Sequence, residues 1–394
     1  MMSDVPALGG GVGPVGEVRL MPAWETLRIL PYAKGHASVM ADMYMLNGEP
    51  FELCPRHFLK RMMAEAAECG FHVRAAFENE FSLLKPGKNG EGLEPVDSTA
   101  HSETLSMDTN HEVMMDIFDA LTQQGLRIEY YYPESASGQQ EISIRHSDAM
   151  TAATQQVIFR ETVKAVAMKH QILASFMPKI FPNQAGNGTH LHISLHKSDG
   201  TNITPSKSAP NELSPTALHF IAGILQHLPA LMAITVPSTN SYRRLQPCTW
   251  SGNYRCWGYV NRECALRVPL NPSSSNLSPS NFELKASDAT GNPYLVLGSV
   301  IAAGVDGVRL KLPPPPPIDR DPGLLSDDER RKMDIEALPT SLKDTIDALS
   351  KNEVLLKALR PQFSKALLAV RMSEYEAMKD MSLEEEVELL LQRY

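Results

Sequence analysis

No run of about 18 uninterrupted apolar residues, the length that spans a bilayer as a helix, occurs in this sequence, so no membrane span is expected. Positive charge is in deficit. The chain has 37 Lys and Arg against 46 Asp and Glu, a net charge of −9. That balance leaves no basic footprint for nucleic acid and disfavours anionic membranes, so neither is expected as a partner. Cysteine is scarce and unpaired: Cys54, Cys69, Cys248, Cys256 and Cys264 are odd in number and form no C-x-x-C. The spacing of the last three matches no zinc pattern, which predicts reduced thiols in a reducing, cytoplasmic compartment. The glycine-rich start, GGGVGPVG, has neither a basic segment nor a long apolar one, so it does not read as a secretory signal. No internal repeat is visible.

What is present is ordinary in bulk. A length of 394 residues holds two or three average domains, or one large catalytic domain with a small neighbour. With 43% hydrophobic and 21% charged residues the chain can bury a full core.

Along the chain, residues 1–16 read as extended, and Val18–Met21 and Ser38–Tyr44 as strands. Arg56–Cys69 has helical periodicity, with Pro55 at its start and Gly70 at its end. Phe71–Leu84 reads as a strand, Lys85–Glu94 as a glycine-rich loop, Thr109–Gln124 as a helix and Glu129–Glu134 as a strand. Ala149–Lys169, Ser214–Ala233 and Asn292–Gly307 read as helices, the last apolar enough to be buried. Pro237–Arg262, rich in Ser, Asn, Arg and aromatics, reads as a long irregular substrate loop. Pro313–Pro317 reads as a rigid surface connector. Charged helices follow at Leu342–Ala348, Glu353–Leu359 and Arg371–Leu391.

The distinctive feature is a set of polar strands with ionisable residues at period two. A strand turns alternate side chains to one face. FENEF therefore places Glu78 and Glu80 together, QQEISIR places Glu141, Ser143 and Arg145 together, and THLHISL places His190, His192 and Ser194 together. NFELK does the same for Asn281, Glu283 and Lys285. Several carboxylates and one or two imidazoles in one cavity repel one another unless cations neutralise them. An oxygen-rich set with a single imidazole suits Mg²⁺ or Mn²⁺ better than zinc. Phosphoryl transfer is the commonest use of such a set. Solvated strand faces have the same spacing, and spacing alone leaves both readings open.

With those residues in view, the chain resembles the glutamine synthetase family over residues 17–394. GNGTHLHISL resembles the family's ATP-and-metal signature, and PESASGQQE its metal loop. NSYRRL (Asn240–Leu245), NRECALRVP (Asn261–Pro269) and SDATGNPYL (Ser287–Leu295) follow in the family's order and spacing. Details of the FENEF, PxxW and CWG type look closest to a divergent, type-I-like branch related to amidohydrolase-fused proteins. The resemblance implies an α+β fold, an antiparallel curved sheet forming a funnel-like active site flanked by helices, in residues 23–394. It implies that residues 1–22 are the remnant of an N-terminal β-grasp domain, with Asp4 as a weak stand-in for that domain's acidic loop. It further implies Mg²⁺ (or Mn²⁺) and ATP as cofactors, glutamate and ammonia or a small amine as substrates, and a ring-shaped homo-oligomer. Carried over by position, one metal is held by Glu80, Glu134 and Glu141, the other by Glu78, His190 and Glu283. Glu129, His192 and Ser194 sit on the nucleotide and Gly186 near the glutamate α-carboxylate. Arg244 clamps glutamate, while Arg262 and Arg267 neutralise phosphate. Arg243 is expected to be a structural charge.

The sequence departs from the family pattern at several places. Trp250 stands where the family usually has an acidic flap residue. Asn281 and Lys285 replace two arginines, and lysine cannot reproduce a bidentate clamp. Ala185 replaces an asparagine, and Glu336 stands at the place of a regulatory tyrosine. The implied function is an ATP-dependent ligase acting through γ-glutamyl phosphate, with an organic amine as the expected nucleophile. Trp250 would cradle that amine, with Tyr254 and Trp257 extending an aromatic wall. The alternative is a catalytically impaired relative with a structural or regulatory role.

Overall fold

The computed structural model describes residues 6–87, 92–209, 212–270 and 278–394. Asp4 and residues 88–91 of the predicted glycine-rich loop lie outside them. The fold is α+β, as expected, and is organised on one eleven-stranded sheet. Its central path runs Glu336–Ala337, Tyr254–Tyr259, Cys264–Val268, Phe282–Leu284, Thr189–His196, His72–Pro86, Gln139–Ile144, Ile128–Pro133. Pairing is antiparallel throughout that path except between Tyr254–Tyr259 and Cys264–Val268, which run parallel across a register shift.

Helices cover one face of the sheet and supply most of the core. Pro55–Glu68 starts on a proline at its first turn, and Gly70 after it takes φ +87, the left-handed value glycine tolerates. Ala149–Lys169 begins where Asp148 accepts from the Thr151 N–H at 3.1 Å, satisfying one of the free donors of the first turn. Two helices, Pro215–Thr235 and Pro293–Leu310, are long and apolar enough to span a bilayer, which the test for uninterrupted runs missed. Both are 78% buried over their most apolar stretch, so their apolar character is core packing. They meet backbone to backbone. A Cβ on Gly223 would lie 2.2 Å from the Ala303 carbonyl oxygen, and one on Gly307 2.2 Å from that of His219.

Several predicted elements are divided. The helix expected at Thr109–Gln124 runs His111–Gln123, and a separate helix not foreseen, Thr104–Thr109, precedes it. Between them the Asn110 amide leaves the helix path to donate to Asp97 Oδ2 at 2.6 Å. Ser38–Tyr44 is two short strands, Ala37–Ser38 and Ala41–Met45, on different partners. Arg371–Leu391 is instead the end of a helix Pro361–Met378 and a separate one, Leu383–Leu390. Ser382 and Glu385 form a capping box that starts the second helix. The stretch Pro237–Arg262 is not irregular throughout: it contains a helical turn, Ser241–Arg244, and the strand Tyr254–Tyr259. Pro313–Pro317 is a connector packed on that strand, with Trp257 Nε1 donating to the Pro315 carbonyl at 2.7 Å.

Candidate active site

The strand registers explain why the ionisable residues converge. On His72–Pro86, Glu78 lies opposite His190 and Glu80 opposite Glu141. One strand further, His192 lies opposite Glu283, which in turn faces Arg267. Each side chain at period two therefore meets another of its kind across the sheet. Glu134 comes from the turn between Ile128–Pro133 and Gln139–Ile144, where Gly138 (φ +67) brings the backbone close to Leu83.

The result is a buried acidic cluster. His190 Nδ1 lies 2.9 Å from Glu78 Oε1 and 3.3 Å from Glu283 Oε1, and its Nε2 lies 3.8 Å from Glu80. His192 Nε2 lies 3.2 Å from Glu78 Oε2, while its Nδ1 lies 2.9 Å from Asn281 Oδ1. Three triads have ligand atoms within 4.8 Å of one another: Glu80/Glu134/Glu141, Glu78/Glu80/His190 and Glu78/His192/Glu283. The first is the set implied by the resemblance. For the second, His190 touches both Glu78 and Glu283, but the compact triad with Glu283 includes His192 in place of His190. A fourth triad, Asp42/Cys54/His57, differs in kind, because Arg56 and Lys60 already neutralise Asp42 at 2.8 and 2.5 Å.

Electrostatics divide the carboxylates. Burial, with the charges of Glu78, Glu80 and Glu134, pushes Glu141 up to about 10. Burial and Glu134 also raise Glu80, against the pull of His190 and the Gly188 N–H, which donates to Glu80 at 2.8 Å. Burial acts on Glu78 too, but hydrogen bonds from His190 and His192 hold it well below the usual range. Glu283 is lowered to about 2, because Lys285, Arg267 and His190 outweigh its burial. Glu141 Oε1 is buried with no hydrogen-bond donor. A buried carboxylate oxygen left without a donor beside two further carboxylates fits a hard divalent cation.

Two cavities flank the cluster, and Glu78 lines both. The larger, about 530 Å³, has Glu80, Glu134, Glu141 and His190 on one side and Gly186, Arg244, Trp250 and Arg262 on the other. The smaller, about 370 Å³, is lined by Glu129, His192, Ser194, Arg267 and Asn281. Gly186 has no room for a side chain: a Cβ would lie 2.2 Å from the Pro178 carbonyl and 2.8 Å from Arg244 Cγ. Arg244 is buried, donates to the Lys285 and Ser287 carbonyls at 3.3 and 3.0 Å, and leaves its buried Nε unpartnered. Arg267 lies 3.0 Å from Glu283. Ser194 Oγ is 2.9 Å from His196 Nε2, and Glu129, at the rim, lies 3.6 Å from Arg145. Arg243 points away to Glu386 at 2.8 Å, a structural pair as expected.

The aromatic wall expected beside Trp250 is absent. Tyr254 and Trp257 are buried at 6% and 3% exposure in a strand and line neither cavity. Trp250 itself is 58% exposed, and the Arg262 guanidinium lies over its ring at 5.8 Å. Its backbone, at φ +57, donates to Glu263 Oε1 at 2.6 Å. Residues not foreseen also face the site. The Gln139 amide donates to Glu80 at 3.2 Å and to Asn187 at 3.0 Å, and the Tyr130 hydroxyl to Glu78 at 2.9 Å. Lys179 lines the larger cavity and holds the Gln184 carbonyl. Gln139 is two residues before Glu141, so the same alternation pointed to it.

Comparison with known proteins agrees with this geometry. Residues 52–390 match the family described as "Glutamine synthetase, catalytic domain". The chain is 33% identical over 395 residues to the type-1 glutamine synthetase 1 of Dictyostelium discoideum, covering 96% of this chain and 78% of that protein. It is 36% identical over 363 residues to the gamma-glutamylpolyamine synthetase GlnA3 of Streptomyces coelicolor, covering 92% and 78%. Among solved structures, a GmaS/ADP complex superposes with a TM-score of 0.85 at 29% identity, covering 98% of this chain and 89% of that one.

Proposed function

The chain belongs to the glutamine synthetase catalytic-domain family, and from that premise we propose an ATP-dependent ligase that joins the γ-carboxylate of glutamate to an organic amine. The observation that carries this reading is the pair of cavities joined at Glu78, with the acidic cluster at their junction. The smaller takes ATP; the larger takes glutamate and the amine. Glu80, Glu134 and Glu141 would hold one divalent cation, and Glu78 with His190, His192 and Glu283 the other. Bound there, Mg²⁺ or Mn²⁺ would neutralise charge on the transferring phosphoryl oxygens.

The protein's own groups then have distinct tasks. Arg244, fixed by two carbonyls behind Gly186, presents its guanidinium to the glutamate carboxylate. The γ-carboxylate oxygen attacks the terminal phosphorus of ATP, ADP leaves, and γ-glutamyl phosphate forms. Arg262 offsets the charge on that phosphate. The alkylammonium first releases a proton to solvent; its nitrogen then attacks the acyl carbon, and inorganic phosphate leaves taking up the second N–H proton, giving the γ-glutamyl amide. Trp250 carries no acid where an ammonia-using site needs one to attract ammonium and take its proton. Its indole favours an alkylammonium. The 36% identity to a protein named gamma-glutamylpolyamine synthetase supports the same substrate class.

The test is Mg²⁺- or Mn²⁺-dependent ADP formation by the purified chain with glutamate and a panel of monoamines, diamines and ammonia. Amines should outpace ammonia. Equal or faster turnover with ammonia refutes the amine assignment. Two observations favour a second reading, an impaired relative: Asn281 replaces an arginine, and Arg267 is already engaged by Glu283. Absence of any metal-dependent ATP turnover in the same assay selects that reading.

A further inference from the structure

A third cavity, about 510 Å³, is lined by the segment Ile180–Pro182, and Pro182 also lines the larger catalytic cavity. Its walls are apolar, formed by Leu84, Leu93, Phe181, Val387 and Leu391. They continue a small hydrophobic cluster that includes Leu84, Ile180 and Leu391, separate from the main core. Two carboxylates, Glu384 and Glu388, stand at its edge one helical turn apart on Leu383–Leu390.

The position of those acids has no internal explanation. Glu384 is in the first turn, where a negative charge is favoured by the helix dipole. Glu388 is in the last turn, where the dipole opposes it, and like charges at i,i+4 repel. Among the described residues neither carboxylate has an ion pair or a hydrogen bond. No Lys or Arg among the described residues lines the cavity.

We propose that this cavity binds ammonium ions that carry an apolar chain, such as medium-chain primary amines or α,ω-diamines. The chain lies against Phe181, Val387 and Leu391, and the ammonium sits between Glu384 and Glu388. Charge complementarity decides the class: an apolar slot edged by two unpaired acids, with no base among its described residues, rejects fatty acids and rewards amines. The site goes beyond the ligase reading and does not depend on it. Its occupant would press on Pro182, and so on the segment that carries Gly186 against Arg244.

The test is calorimetric titration of the whole chain, without ATP or glutamate, with octylammonium, octanol and octanoate. Octylammonium should bind, and the two others should bind at least tenfold more weakly. E384Q/E388Q, at exposed positions, should lose about tenfold in octylammonium affinity and treat amine and alcohol alike. Val387→Arg, which places a cation and bulk in the slot, should abolish binding while the melting profile stays that of the wild type. The proposal is overturned if octylammonium does not bind, if octanoate or octanol binds as well, or if both variants keep wild-type affinity. That last result would place the amine in the catalytic cavity. Loss of octylammonium binding as the chain self-associates would equally overturn it, because a second copy would then be the occupant.

Discussion

Replacing Glu283 by Gln should destabilise the protein even with every metal chelated. Glu283 is fully buried and lies 3.0 Å from Arg267 and 3.3 Å from Lys285, whose side chains are only 14% and 3% exposed. The amide keeps the shape but removes the negative charge held between Lys285 and the largely buried Arg267. Breaking a buried ion pair by removing one partner costs about 3–5 kcal/mol, because the remaining charge stays out of water. Unfolding entropy near ~2.1 cal/mol/K per residue, over 394 residues, turns this into a fall of about 4–6 °C in melting temperature. The assay is differential scanning calorimetry in chelator, at one fixed protein concentration because self-association raises Tm. The double variant E283Q/K285M should recover at least half of the loss by removing one orphaned cation. The pH dependence has a definite sign. Glu283 is lowered from 4.5 to about 2 in the folded chain, so its contribution is full above 4.5 and lost as pH falls towards 2. The variant's deficit should therefore shrink over that acid window. A shift below about 1 °C at neutral pH, or no recovery in the double variant, would refute the counter-ion role.

Glu78→Ala, Glu80→Ala and His190→Ala should each abolish the thermal stabilisation given by Mg-ATP; a wild-type shift in all three would reject the cation assignments. Trp250→Glu should move substrate preference towards ammonia, and Trp250→Ala should weaken amine binding about tenfold, read as KM across the amine panel. The chain should assemble into a ring, since Leu20, Trp24 and Ile29 are 64%, 68% and 75% exposed on the N-terminal strands and turns. A monomer at micromolar concentration in sedimentation velocity would count against assembly.

The acidic cluster was legible because strands write their faces into the sequence at period two. Once Glu78 and Glu80 were on one face, only register was needed to bring Glu141 and His190 opposite them. Helix ends with a proline start, Pro55 and Pro293, were readable for the same local reason. Less readable were contacts that depend on chain segments meeting in space. Arg262 over Trp250 joins residues on two loops, and neither residue type signals the other. Tyr254 and Trp257 were placed at the cavity because they are close to Trp250 along the chain. Tyr254–Tyr259 is instead a strand with a register shift and no clean alternation, and both of these side chains are buried in its packing. The break between Met378 and Leu383 had a local signal, S-x-x-E at Ser382–Glu385, hidden inside an apolar pattern that continued across it.

The guanidinium resting on Trp250 carries a consequence for timing. At 5.8 Å it is close to the outer limit of such contacts, so it is held loosely. While Arg262 occupies the indole, an incoming alkylammonium meets a like charge in place of a cradle. Under the proposed ligase reading, formation of an acyl phosphate would move phosphoryl charge from the nucleotide onto the substrate, draw Arg262 off the ring and uncover it. The platform would then open after the reactive intermediate exists and close again when phosphate departs. With a monoamine, the amide nitrogen of the product is uncharged and would have no claim on the ring against the returning arginine. One mobile cation would in this way impose a sequence of arrivals and departures, with glutamate and nucleotide first, amine second, and product expelled as the site resets.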